Sequence, residues 1–232
     1  MINNDLDLDR WRQHLAVHGR VQVPGFLQDA AAEALAKELE QQVPWQLAER
    51  VTGTSRTTPR GAYPDDAAHA ALLADAYTQA GERYQFAYDS YMLVKAAMEG
   101  WDPGLLVHRV LQFLNGEPFI AFARYLGADE SITHVTAQCT RYRPGHFLMP
   151  HDDQDVQEGR RFAFVMNLTR EWRPDWGGQL QFLDEDGRIT ETLLPRWNTL
   201  SLFRVPQRHQ VTLVAPWAAH PRHAITGWWL AR

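Results

Sequence analysis

The chain has 232 residues, of which 45% are hydrophobic and 22% charged, and a formal net charge of -5. That balance belongs to an ordinary globular protein and argues against a broad phosphate-binding surface, so nucleic acid is not an expected partner. One cysteine, Cys139, excludes an intrachain disulfide and a cysteine-based zinc site; with no leader-like start and no apolar run of spanning length, a cytoplasmic location without a membrane partner is expected.

Leu6, Leu8, Trp11 and Leu15 recur at helical spacing, so a helix over 5–18 with a core-facing stripe is expected. Val21 and Val23 alternate before Pro24-Gly25, the pattern of a short strand ending in a turn. Asp29 is a candidate N-cap for an Ala/Leu/Glu-rich helix over about 28–42, and 45–51 reads as another strand. Residues 52–61, with Gly53, Arg56, Pro59, Arg60 and Gly61, read as a flexible loop, either a plain connection or a flap over a substrate. Four helices are then predicted over 65–79, 83–98, 104–114 and 117–126, divided by Gly81, 100–103 and Gly116. Tyr84, Phe86, Tyr88 and Tyr91 read as the buried face of the second of these.

From Ser131 the pattern changes. Segments 132–142, 161–168, 178–182, 188–193, 198–203, 207–213 and 222–230 alternate or run apolar between turn residues, and Asp184-Glu185-Asp186-Gly187 is a hairpin turn. Helices first and evenly spaced short strands second imply an α+β class, with N-terminal helices packed on one sheet of a sandwich or barrel. A single domain is expected over 1–232, mainly helical to 130 and β from 131.

The stretch from Tyr142 to Asp153 turns at Pro144-Gly145 and ends in His151-Asp152-Asp153. In an extended chain side chains alternate with a period of two, so His151 and Asp153 share a face and Asp152 does not. Two such ligands joined by a second histidine make a 2-His-1-carboxylate site for Fe(II). Composition alone yields roughly one His-x-acid by accident, so the motif needs support from elsewhere. His209, His220 and His223 follow it; His209 opens an apolar strand, His220 lies in a loop, and His223 faces away if Arg222 faces inward. His209 is therefore chosen as the third ligand. On the last strand Arg222, Ala224, Thr226 and Trp228 share one face, and an arginine with a hydroxyl beside it makes a carboxylate clamp.

Tyr142, His151-Asp152-Asp153, His209 and Arg222-His-Ala-Ile-Thr-Gly-Trp together resemble the Fe(II)/2-oxoglutarate-dependent oxygenases of the prolyl hydroxylase type, as does Trp176-Gly177-Gly178-Gln179-Leu180. The resemblance covers about 130–232 and looks closest to the branch acting on a ribosomal or translation-factor protein. It implies a double-stranded β-helix, or jelly roll, with His151, Asp153 and His209 on Fe(II). Arg222 and Thr226 would grip 2-oxoglutarate, with Tyr142 near iron and co-substrate, O2 as oxidant and ascorbate as a candidate reductant. Asn167 stands where relatives often place a tyrosine reaching the same carboxylate, and the loop 215–221 is longer than usual. Arg161 and Trp228 are candidate substrate contacts, as are the segments 52–61 and 154–160. The expected activity is hydroxylation of a prolyl residue in a protein or peptide. The alternatives are hydroxylation of a free amino acid or other small metabolite, and a metal-bearing jelly roll that does not catalyse.

Overall fold

Alternation along the long strands divides the molecule into layers. The computed structural model describes residues 1–63 and 65–231. In β12 (Arg222–Ala231), Ile225 and Trp229 are wholly buried against the helices, while Arg222, Thr226 and Trp228 line a cavity on the other face. Its neighbours β5 (Ile132–Tyr142) and β7 (Arg160–Asn167) follow the same rule. Val135, Ala137 and Cys139 of β5 turn to the helices, whereas Gln138, Thr140 and Tyr142 turn to the cavity. With β1 (Arg20–Pro24) and β10 (Thr199–Arg204) these strands form one antiparallel layer in the order β1-β10-β7-β12-β5. Gly227 permits the tightest approach within it: a Cβ there would fall 1.8 Å from the Thr136 carbonyl oxygen.

The facing layer continues through β6 (Phe147–His151), β11 (His209–Val211), β8 (Leu180–Leu183) and β9 (Ile189–Leu193). The two layers are joined by β4 (Phe86–Tyr91), which pairs with both β5 and β6. All registered pairs are antiparallel, and the result is a nearly closed jelly roll with the cavity between its layers. Helices α1 (Leu8–His18), α2 (Asp29–Gln41), α5 (Leu106–Leu114) and α6 (Glu117–Gly127) cover the outer face of the first layer. Each large side chain wholly buried there, such as Trp229 or Phe162, contributes roughly 2–3 kcal/mol. Between helices, the buried Glu38 carboxylate of α2 accepts from Leu106 N and Val107 N, so α5 is capped by its neighbour. Among the described residues no helix is long and apolar enough to cross a membrane.

The α+β jelly roll with helices on one sheet is thus as expected, and most predicted strands lie within a residue or two of their places. Four expectations are corrected. The helix expected over 83–98 is instead the strand β4 followed by a short helix, α4 (Leu93–Glu99). Its aromatic residues fit a period of two as well as a helical one, and the strands it pairs with are distant in sequence. The loop expected over 52–61 is mostly strand: β2 (Gln46–Val51) and β3 (Thr54–Pro59) form a hairpin turning at Thr52-Gly53, both at positive φ. β3 is polar because it is a solvent-facing edge, which composition alone cannot distinguish from a loop. The strand expected over 207–213 shortens to His209–Val211, with a register shift against β6. Asp29 is the first residue of α2 rather than its cap, favouring the helix as an acid in the first turn. The predicted helix at 65–79 is α3 (Asp66–Ala80), with Asp65 as its N-cap.

Candidate metal and co-substrate site

His151 ends β6 and His209 begins β11, and the two are paired across the ladder, which brings their ring centroids to 4.2 Å. Asp153 arrives by another route than the one its spacing suggests. The strand stops at His151, and Asp153 takes φ +61°, a left-handed conformation in which a short polar side chain is tolerated. Its carboxylate stands between the histidines, Oδ1 at 3.3 Å from His151 Nε2 and Oδ2 at 3.4 Å from His209 Nε2. One ligand atom from each of His151, Asp153 and His209 lies within 4.8 Å of the others. Asp152 is exposed and accepts from Gln154 N.

Both histidines are oriented from behind. Nδ1 of His151 lies 2.9 Å from the Met149 carbonyl, and Nδ1 of His209 lies 2.8 Å from the Gln207 carbonyl. A carbonyl only accepts, so the proton is assigned to Nδ1 and the Nε2 lone pair is left facing Asp153. Burial, with His151 adding to it, lowers His209 to about 4. Burial also lowers His151, but the Asp153 carboxylate outweighs it and the net shift is upward. Burial raises Asp153, and the two imidazoles outweigh that to hold it ionised below the usual carboxylate range. An anionic carboxylate between two imidazole lone pairs is a donor set for a divalent cation.

Beyond the triad lies a cavity of about 520 Å³. At its inner wall Arg222 is 3% exposed, yet has no carboxylate partner among the described residues. Nη1 donates to the Gly178 carbonyl at 2.8 Å, Nη2 to Asn167 Oδ1 at 3.4 Å, and Nε is buried without a partner. The guanidinium lies 5.3 Å from the centre of the Tyr142 ring. A buried cation with only neutral partners is costly unless an anion completes it. The residues therefore fit an anionic group at Arg222 in the cavity that the triad also lines. Thr226 and Tyr142 line the same cavity; burial, first of all, keeps the Tyr142 hydroxyl protonated far above its ordinary range and so able to donate.

Of the other candidates, Trp228 lines the cavity, and Asn167 lies behind Arg222, reaching the cavity through it. Arg161 points away: it is half-exposed and pairs with Asp129 at 2.8 Å. A register shift between Trp229 and Leu230 interrupts the alternation where β7 begins, and Arg160, not Arg161, lines the cavity. The sequence reading assigned Tyr84, Phe86 and Tyr88 to a core, whereas all three line the cavity and Tyr88 stacks on Tyr142 at 5.1 Å. A period-two reading of 84–88 would have found them. His220 lies in its loop, and His223 faces away from the triad beside Trp45.

Comparison with known proteins agrees with this geometry. Residues 137–230 match the sequence model of the 2OG-Fe(II) oxygenase superfamily. Prolyl 3-hydroxylase OGFOD1 of Xenopus laevis is 38% identical over 101 residues, 40% of this chain and 19% of that protein. The Mus musculus OGFOD1 is 32% identical over 134 residues, 55% of this chain and 24% of that protein. The chain thus spans only a quarter or less of the length of these curated relatives. Among solved structures, a Trichoplax adhaerens prolyl hydroxylase in complex with a hypoxia inducible factor peptide fragment aligns with a TM-score of 0.65 at 18% identity. The alignment covers 97% of this chain and 89% of that one. A Pseudomonas putida prolyl-4-hydroxylase aligns with a TM-score of 0.53 at 20% identity, covering 97% and 99%. Residues 137–230 are thus similar in sequence to 2OG-Fe(II) oxygenases, and the chain shares its fold with these prolyl hydroxylase structures.

Proposed function

We propose that this chain is an Fe(II)- and 2-oxoglutarate-dependent dioxygenase that hydroxylates a prolyl residue in a protein substrate. The observation that carries it is the pairing, across one cavity, of a converged His151, Asp153 and His209 with a buried Arg222 that has no anionic partner. We read the chain as a single oxygenase domain working in the cytoplasm, with a ribosomal or translation-factor protein as substrate and neither nucleic acid nor membrane as a partner. The prolyl 3-hydroxylases among its relatives and the peptide-bound prolyl hydroxylase among its structural neighbours support the substrate class.

His151, Asp153 and His209 would hold Fe(II) on one side and leave the cavity side to co-substrate and oxygen. Bound there, Fe(II) and 2-oxoglutarate supply the oxidising power that inserts one oxygen atom of O2 into a C–H bond while the co-substrate leaves as succinate and CO2. Arg222 offers a fork of donors to the far carboxylate, and Thr226 a further hydroxyl. Val165, Leu180 and Phe203 line the same cavity with apolar surface and limit the water within it, which strengthens each charged contact. The β2–β3 hairpin contributes Arg50 and Ser55 to the cavity rim, where an extended peptide would enter.

The test is succinate release from 2-oxoglutarate by the purified chain with Fe(II), followed by mass spectrometry of cell-extract proteins for a gain of one oxygen on proline. Release that Asp153→Ala abolishes, with modified proline in a protein, is the expected result. No release by the wild-type chain would overturn the oxygenase reading. Release coupled only to a free amino acid would overturn the protein substrate.

A further inference from the structure

The carboxylate of the triad is held by a turn that departs from the strand, so something other than the β ladder must fix it. Asp153 sits at φ +61°, outside β6 and before β7. From there the chain loops out and returns at Gly159, where a Cβ would fall 2.1 Å from the Ala231 carbonyl oxygen. Gly159 accepts from Ala231 N at 2.9 Å, so the return is anchored on the end of β12. Arg160 is the first residue of β7, and its side chain runs back beneath the loop it closes.

There it makes three contacts. Nη1 donates to the backbone carbonyl of Asp153 at 3.3 Å and stands 3.9 Å from Oδ1. Nε and Nη2 both reach Glu158 Oε2 at 2.8 Å. The guanidinium plane rests 3.8 Å from the centre of the Trp228 ring. Trp228 in turn is fixed in β12, six residues from Arg222 on the same face. The side chain is only 17% exposed, so these contacts hold it in one place.

We infer that Arg160 is a positioning residue for the metal: it clamps Asp153 in its left-handed conformation and so aims the carboxylate between His151 and His209. This rests on the metal reading given above and extends it to a group that touches no metal. Two effects of Arg160 oppose each other. Its positive charge repels a cation bound at the triad, while its hold on the Asp153 carbonyl reduces the freedom the ligand must lose on binding. Glu158, paired through two nitrogens, offsets the charge and leaves the hold, so positioning wins. Trp228 adds a rigid platform that Lys cannot use equally, because a planar guanidinium stacks where an ammonium does not.

The experiment titrates Mn(II) into the full chain and follows loss of the free-ion electron paramagnetic resonance signal, for the wild type, Arg160→Gln, Arg160→Lys and Glu158→Gln. Arg160→Gln should raise the Mn(II) dissociation constant roughly 10- to 100-fold, the range for removing a group that orients a metal ligand. Arg160→Lys should recover part of that loss and Glu158→Gln should cost less than Arg160→Gln. Melting of each variant in the presence of chelator separates folding from binding. A lower melting temperature with wild-type Mn(II) affinity would mean that Arg160 only ties down the loop, and would overturn the inference alone. A wild-type chain that binds no Mn(II), or that binds it as well after Asp153→Ala, would overturn the metal reading as well.

Discussion

Arg222 is a cation held by a carbonyl, an amide oxygen and the neighbourhood of an aromatic ring, with one nitrogen left over. Its burial lowers its proton affinity, yet a guanidinium remains charged at any working pH. The chain thus bears a desolvation cost that a bound carboxylate offsets. Arg222→Gln should weaken 2-oxoglutarate binding roughly 100-fold, the scale for losing one partner of a buried charge pair. Its Mn(II) affinity should stay unchanged, because Arg222 is not a ligand. Without co-substrate the variant should also melt at a higher temperature, since an uncompensated buried charge has gone. Calorimetric titration and a thermal melt check both. An unaltered 2-oxoglutarate affinity would remove Arg222 from the clamp.

Among the elements, β3 is the one the rest of the sheet does not need. Only β2 pairs with β3, whose residues face solvent, while Ser55 looks into the cavity. Replacing 53–58 by a two-residue turn should leave substrate-independent 2-oxoglutarate turnover intact and cut peptide hydroxylation at least about tenfold, as for the loss of an interface hot spot. Equal losses in both assays would make the hairpin a structural element. The same hairpin shows where reading the sequence runs out. The strands of the jelly roll were legible because one face of each is buried, which writes a period of two into β5, β7 and β12. The strand ends that carry His151 and His209, and the shared face of Arg222 and Thr226, followed from that period. An exposed edge such as β3 carries no apolar face to read. At β4 a five-residue aromatic run fits two periods, and partners far away in sequence, in β2, β5 and β6, decide between them. Asp153 was found for the wrong reason: alternation pointed to it, but a left-handed turn delivers it.

At the scale of the whole molecule, three imidazoles outside the triad are buried among the described residues. Burial, with Arg143 nearby, lowers His69 to about 4 and His146 to about 3, and burial with Arg141 lowers His223 to about 4. His69 and His146 face each other through Nε2 atoms 3.1 Å apart, a contact that protonating both would break. In the unfolded chain each histidine titrates near its ordinary value of about 6.5. Between that pH and about 4 the unfolded state binds more protons than the folded one, so stability falls as pH falls. Each group contributes up to about 1.4 kcal/mol per pH unit in that window. Melting with chelator present should therefore shift down from pH 7 to pH 5, and His146→Gln should flatten the slope. A melting temperature constant over that range would mean that these rings already carry protons in the native state.

The last strand puts the proposed co-substrate clamp and the helical core on opposite sides of one peptide backbone. Ile225 and Trp229 answer to the helices, and Arg222 and Thr226 to the cavity. A change in how α6 seats on Trp229 therefore tilts the clamp, though the two never touch. On the proposed function, a substitution that reseats α6 on Trp229 should therefore change the affinity for 2-oxoglutarate together with the melting temperature.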